Sequence, residues 1–289
     1  MIVSASYRTD IPAFYGDWFA ARRAVGFVTV LNPYGGKPYR VALRGTEVDG
    51  FVFWTRNARP FLPVLDDLAR EGVPFVVQYT ITDYPGALDT ATPPSSQAVA
   101  CAREIAARFG PAVVVWRYDP VLVSSVTPLD SHAARFARLA GALAGASDEV
   151  VVSFADLYRK TVRNLGRAAG LTWRDPDDAE KRALLGDLTA AARDAGMALT
   201  LCTEPALAAD VPQAAAARCI DAARLSRIAG YPIAAREKGN RPGCCCAESR
   251  DIGAYDTCVH GCLYCYAVRD PERARAALAA HDPALETLR

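Results

Sequence analysis

"DIGAYDTCVHGCLYCYA", residues 251–267, decides how this chain is read. A short start leads into a tight loop carrying Cys258, Cys262 and Cys265. After it comes "DPERARAALAAH" (270–281), with Asp and Pro where a helix begins. Strand, loop and helix in that order make one βα unit. Upstream, the short runs rich in β-formers are "IVSAS" (2–6), "FVFW" (51–54), "FVVQYT" (75–80), "AVVVWR" (112–117), "VVVSF" (150–154) and "ALTLC" (198–202). Between them lie helical stretches such as "RPFLPVLDDLAREG" (59–72) and "SSQAVACAREIAARFG" (95–110), each closed by a glycine.

This alternation predicts parallel strands joined by right-handed crossovers. The runs are apolar throughout, as strands are when helices cover their sheet. "GFVTVLNPYGGKPYRVAL" (26–43) breaks the rhythm and predicts a hairpin turned at "PYGGKP". The fold class expected is α/β, a partial TIM-like barrel with a cysteine-rich C-terminal segment. Residues 1–224 would form the body and 225–289 the segment that completes it beside the first strand. In such folds the loops that follow the strands share one face, where chemistry is placed.

The chain has 289 residues, 51% of them hydrophobic, with 33 basic against 32 acidic side chains. It can therefore bury a large core, and its charge balance advertises neither nucleic acid nor an acidic membrane, although a local patch stays open. "MIVSASYRTDIP" lacks the basic head and apolar stretch of a signal peptide, and no run of about twenty apolar residues follows. A cytoplasmic location with reduced thiols is expected. There, clustered cysteines point to metal or redox chemistry more than to disulfides. Eight of the nine cysteines fall after position 200.

Three thiols at C-x3-C-x2-C spacing suit three corners of a [4Fe–4S] cubane and leave one iron without a protein ligand. Zinc competes, but a structural zinc site takes four protein ligands. His260 lies too close to its neighbours in the loop to serve easily as the fourth. Cys202, Cys219, Cys244 and Cys246 remain, enough for a second four-thiolate centre, iron–sulfur or zinc. Cys202 and Cys219 could equally be buried thiols acting as small apolar residues.

With Tyr264 just before its third cysteine, the loop resembles the signature of the radical S-adenosylmethionine superfamily. That resemblance implies an enzyme whose cluster binds S-adenosylmethionine at the open iron and cleaves it reductively to a 5′-deoxyadenosyl radical, using an electron donor such as flavodoxin or ferredoxin. Members usually carry the loop after their first strand. Here a circular permutation is implied, with 251–281 as the first βα unit and "MIVSAS" as the second strand. The glycine-rich stretch that usually receives the methionine amino group is not recognisable after residue 6.

From end to end the chain also resembles a bacterial family of domains of unknown function, through "SASYRTDIPAFY", "FVFWTRN", "WRYDPV", "CTE", "RCID" and the 251–267 stretch. That pattern takes in Cys202, Cys219, Cys244 and Cys246 besides the loop, and leaves out Cys101 and Cys245. A fainter likeness of the "WRYDP" region to the spore photoproduct lyase group would suggest a nucleic-acid substrate.

Charged residues gather where strands should end: Arg8, Asp10, Arg56, Arg117, Asp119, Asp156 and Glu204. Buried charge must be paired or used, so these are candidates to line a polar site for S-adenosylmethionine or substrate, or to pair at a rim. Trp54, Tyr79, Trp116 and Tyr118 could stack on a base or pack the core. His132 and His281 fall in Ala-rich helical segments and are expected at the surface. Two readings stand beside the enzyme: a non-catalytic barrel stapled by zinc or iron–sulfur, and an electron-transfer protein.

Overall fold

A computed structural model of the chain describes every residue except Tyr34. Eight strands form one sheet: β1 (Ile2–Ala5), β2 (Gly50–Thr55), β3 (Phe75–Thr80), β4 (Val114–Val121), β5 (Glu149–Phe154), β6 (Ala198–Leu201), β7 (Ala215–Ala216) and β8 (Ser249–Asp251). Their order across the sheet is β7-β6-β5-β4-β3-β2-β1-β8, and every neighbouring pair is parallel. Sequence order is thus spatial order for seven strands, and the eighth returns to lie outside the first. Among the described residues no ladder joins β7 to β8, so the sheet is open. The expected α/β class and parallel crossovers hold.

Five of the helices that connect β1 through β6 pack on one face. The helices Gly16–Val25, Leu62–Arg70, Ser95–Phe109, Leu129–Leu143 and Asp178–Asp194 send Phe19, Leu65, Ile105, Phe136 and Leu188 against Phe51, Phe53, Val77, Trp116 and Val152. Phe19 packs edge-on to both Phe51 and Phe53, and Phe53 edge-on to Phe61. Each of these rings is fully buried and contributes about 1.5–3 kcal/mol by leaving water. The helix Ala222–Ala229 lies on the other face, through Leu225.

The opposite face is split along the strand direction. Near the strand starts Ile2, Val52, Val76, Val115 and Val151 are apolar, and they are capped by Cys219, Ile220, Leu225 and Ile233. Towards the strand ends the same alternating positions turn polar: Ser4, Trp54, Gln78, Arg117 and Ser153. The expected hairpin is present as Phe27–Val30 against Tyr39–Ala42, and Tyr34 of its expected turn lies outside the described residues. The last unit is also as expected, with helix Pro271–Ala279 capped by Asp270. His132 is a correction: it is fully buried, 2.8 Å from the Tyr118 hydroxyl through Nδ1. The helix Leu129–Leu143 turns that position onto the sheet, which its Ala-rich context conceals. Half-buried His281 packs edge-on to Tyr15.

Candidate metal and ligand site

The segment 258–265 leaves β8 and lies over the ends of β1 to β3. Short-range pairing holds it: Leu263 N–H donates to the Leu88 carbonyl and Ala91 N–H to that of His260, both at 2.9 Å. Gly261 takes φ +70°, and a Cβ there would stand 2.0 Å from Thr90 Oγ1, so only glycine lets the loop seat. Beneath it runs a buried charge network. Arg56 donates to the Tyr264 hydroxyl (2.6 Å), to Thr82 Oγ1 (2.8 Å) and to Asp89 Oδ2 (2.5 Å), while the Tyr264 hydroxyl donates to Asp89 Oδ1 (2.7 Å). Burial works against the charge of Arg56, but Tyr264, Cys262 and Asp89 outweigh it and hold the guanidinium well above its usual range. On the other flank His260 Nε2 meets Asp10 Oδ2 at 2.8 Å, and the same oxygen accepts the Arg56 backbone N–H at 2.7 Å.

The three loop thiols are mutual electrostatic neighbours. Burial pushes Cys258 up to about 12 and raises Cys262 and Cys265 as well. Backbone N–H groups of His260 and Asp10 face the Cys258 sulfur; those of Ala267 (3.3 Å) and Val268 face Cys265. Buried sulfurs that receive amide N–H groups are donors suited to bind metal as thiolates. The donor set therefore fits an iron–sulfur group with three protein ligands.

The second set comes together too. Cys202 follows β6 directly and its sulfur lies 3.8 Å from that of Cys219. Cys246 is in thiol contact with both Cys219 and Cys244, and its sulfur accepts the Ile220 N–H at 3.4 Å. Contact with Cys219, followed by burial, raises Cys202, whereas the hydrogen bond with Cys246 lowers Cys244 to about 6. Arg117 Nη1 donates to the Cys219 sulfur at 3.0 Å, and Gln78 Nε2 to the Cys219 carbonyl at 2.7 Å. Among the described residues, no three His, Cys, Asp or Glu groups are gathered as ligands around a single ion.

Most of the expected polar ligands pair with one another. Arg8 Nε stands 3.3 Å from Asp251, which also accepts from Ser4 and Ser6 at 2.8 Å. Burial raises Asp251 despite Arg8. Asp10 caps the short helix Ile11–Phe14 through the Ala13 N–H. Arg117 pairs with Asp119, which accepts from Ser153 as well; desolvation opposes the Asp119 charge, yet Arg117 and Ser153 lower it. Asp156 meets Arg241, and Glu204 is raised by burial. Trp116, Tyr118 and Tyr79 belong to the helix-covered core. Trp54 alone of the four aromatics faces the polar side, where the Arg117 guanidinium lies over its ring at 4.9 Å.

Four site residues carried no signal in the sequence. Asp89 and Thr82 sit in an irregular loop, and nothing but the fold brings them to Arg56. Asp251 was quoted as a strand residue and given no role. Tyr266 follows the third loop cysteine and is 45% exposed. Its hydroxyl donates to the Tyr7 carbonyl.

An open parallel α/β sheet, with two groups of cysteines at its strand ends, defines the class as a cysteine-rich α/β protein. The chain belongs to the family described as a domain of unknown function, DUF1848, whose profile matches residues 2–267 and so spans all eight strands and all nine cysteines. No curated protein and no solved structure matched the chain. Among the described residues no helix is long and apolar enough to cross a membrane.

Proposed function

We propose that this protein is an iron–sulfur enzyme of the radical S-adenosylmethionine type, built on a circularly permuted partial α/β barrel. The observation that carries the reading is the position of β8. It lies parallel to β1 on its outer side, and the C-x3-C-x2-C loop leaves its C-terminal end. The last βα unit in sequence thus stands first in the order β8-β1-β2 through β7. In this reading residues 1–224 are the barrel body and 225–289 complete it.

Cys258, Cys262 and Cys265 would hold three corners of a [4Fe–4S] cluster. When bound, such a cluster supplies the electron for reductive cleavage of S-adenosylmethionine at its open iron, drawn from a donor such as flavodoxin or ferredoxin. The chain's own part is positional. The Arg56–Asp89–Tyr264 network fixes the loop, Asp10 and His260 fix its first turn, and backbone amides face the sulfurs. Beside the loop, Tyr266 donates to the Tyr7 carbonyl and Tyr7 stands edge-on to Trp54. Arg8 lies over the rings of Tyr7 and Tyr255, placed for the carboxylate of S-adenosylmethionine. Charge balance gives a nucleic-acid substrate no general support.

Anaerobic iron and sulfide analysis, with EPR of the reduced protein before and after S-adenosylmethionine, tests the reading. About four irons at the loop and a signal altered by S-adenosylmethionine, with 5′-deoxyadenosine formed on turnover, are expected. A loop without iron sinks it. The mutual pairing of Arg56, Asp89 and Tyr264, and of Arg8 with Asp251, favours a second reading, a metal-stapled barrel or electron carrier. Iron present with no response to S-adenosylmethionine would select that one.

A further inference from the structure

We propose that Cys202, Cys219, Cys244 and Cys246 form a single-ion tetrathiolate zinc site inside the sheet, separate from the 258–265 loop. The spacing of the sulfurs carries it. Four thiolates at about 2.3 Å around one tetrahedral zinc stand about 3.8 Å from each other. Cys202 and Cys219, from different segments, already stand 3.8 Å apart. A cubane places each of its thiolates on a different iron and holds them wider.

The other two ligands close the set. Cys246 contacts both Cys219 and Cys244, and Cys202 is among the electrostatic neighbours of Cys244. Among the described residues no three of these groups yet surround one point, so binding the ion draws Cys244 in towards Cys202, Cys219 and Cys246. The turn that delivers Cys244 is built for the purpose. A Cβ on Gly239 would stand 2.1 Å from the Cys244 carbonyl, and Gly243 takes φ +76°. Arg241 ties this turn to the residue after Cys202, donating to Thr203 Oγ1 at 2.6 Å and to the Tyr158 hydroxyl at 2.7 Å.

Binding is a proton exchange: Zn²⁺ displaces four thiol protons, leaving a centre of net charge −2 and no redox change. Arg117, 3.0 Å from the Cys219 sulfur, and Arg241, with Cys202 among its neighbours, supply compensating positive charge.

The test is zinc and iron content of the full-length protein together with a variant whose loop thiols are removed (Cys258→Ala, Cys262→Ala, Cys265→Ala). One zinc per chain that survives in the loop variant and is lost in Cys246→Ser is expected. Cobalt added to the zinc-stripped chain should show the visible bands of a tetrahedral thiolate site, absent in Cys246→Ser. Cys244→Ser, at the more accessible position, gives the same readout if Cys246→Ser fails to fold. Iron and sulfide persisting in the loop variant would overturn the zinc assignment, and so would full zinc content in both serine variants. Because the loop thiols are absent from the deciding sample, failure of the radical reading leaves this outcome unaffected.

Discussion

The thiols of Cys258, Cys262 and Cys265 come from one short loop and are held by a charge network that contains none of them, whereas Cys202, Cys219, Cys244 and Cys246 come from three segments and hold one another. The first arrangement fixes backbone geometry in advance. The second is closed on itself. A group that must admit a ligand is best supported from outside, through residues such as Asp89 and His260. A group whose thiols are in contact suits an ion that fills the space between them. On the two proposals, sulfur would serve two purposes a short distance apart in sequence.

The largest effect expected is at the loop. Cys262→Ala should abolish loop-bound iron and its visible absorption while leaving zinc at one per chain; retained iron would erase the distinction between the groups. Next comes the support. Asp89→Ala leaves Arg56 buried without its carboxylate and should cost about 3–5 kcal/mol in denaturant unfolding, as other broken buried pairs do. A loss below about 1 kcal/mol would show that the network is not what holds the loop.

Acid sharpens the comparison through a residue that belongs to neither group. His132, lowered to about 4 mainly by desolvation, stays neutral in the folded chain while the unfolded chain takes up a proton near 6.5. Its contribution is therefore present above the unfolded value and is lost as pH falls towards 4. Stability should drop by about 2 kcal/mol from pH 7 to pH 5 on this account, and His132→Gln should remove that component of the slope. Cys245→Ser is the smallest effect. Cys245 is bracketed by two proposed ligands, and its thiol donates to the Gly243 carbonyl at 3.9 Å. Stability should change by less than about 0.5 kcal/mol with metal content intact, and loss of zinc there would redraw the ligand set.

The strands were legible because parallel, helix-covered strands are apolar on both faces, and Phe75–Thr80 coincides with its run in the sequence. The run at 112–117 shifts to Val114–Val121 because Gly110 and Pro111 first form a 3-10 turn. Ala215–Ala216 was missed, since two alanines at an edge carry no pattern. Cysteine positions survived translation into space because thiol chemistry is specific. The support did not: Arg56 lies 33 residues before Asp89 and 208 before Tyr264, separations that leave no periodicity to read. Charges at strand ends were legible as a class, but which carboxylate each arginine would find was decided by the fold.

The place of β8 also sets a timetable. A ribosome delivers β1 through β7 in the order they occupy across the sheet, so each can dock on its predecessor as it emerges. The free edge of β1 waits until residues 249–251 appear, and the loop cysteines follow directly behind. In the proposed reading, metal delivery to 258–265 would be deferred to a nearly finished fold, and a nascent chain halted before β8 carries most of its scaffold and none of its loop thiols.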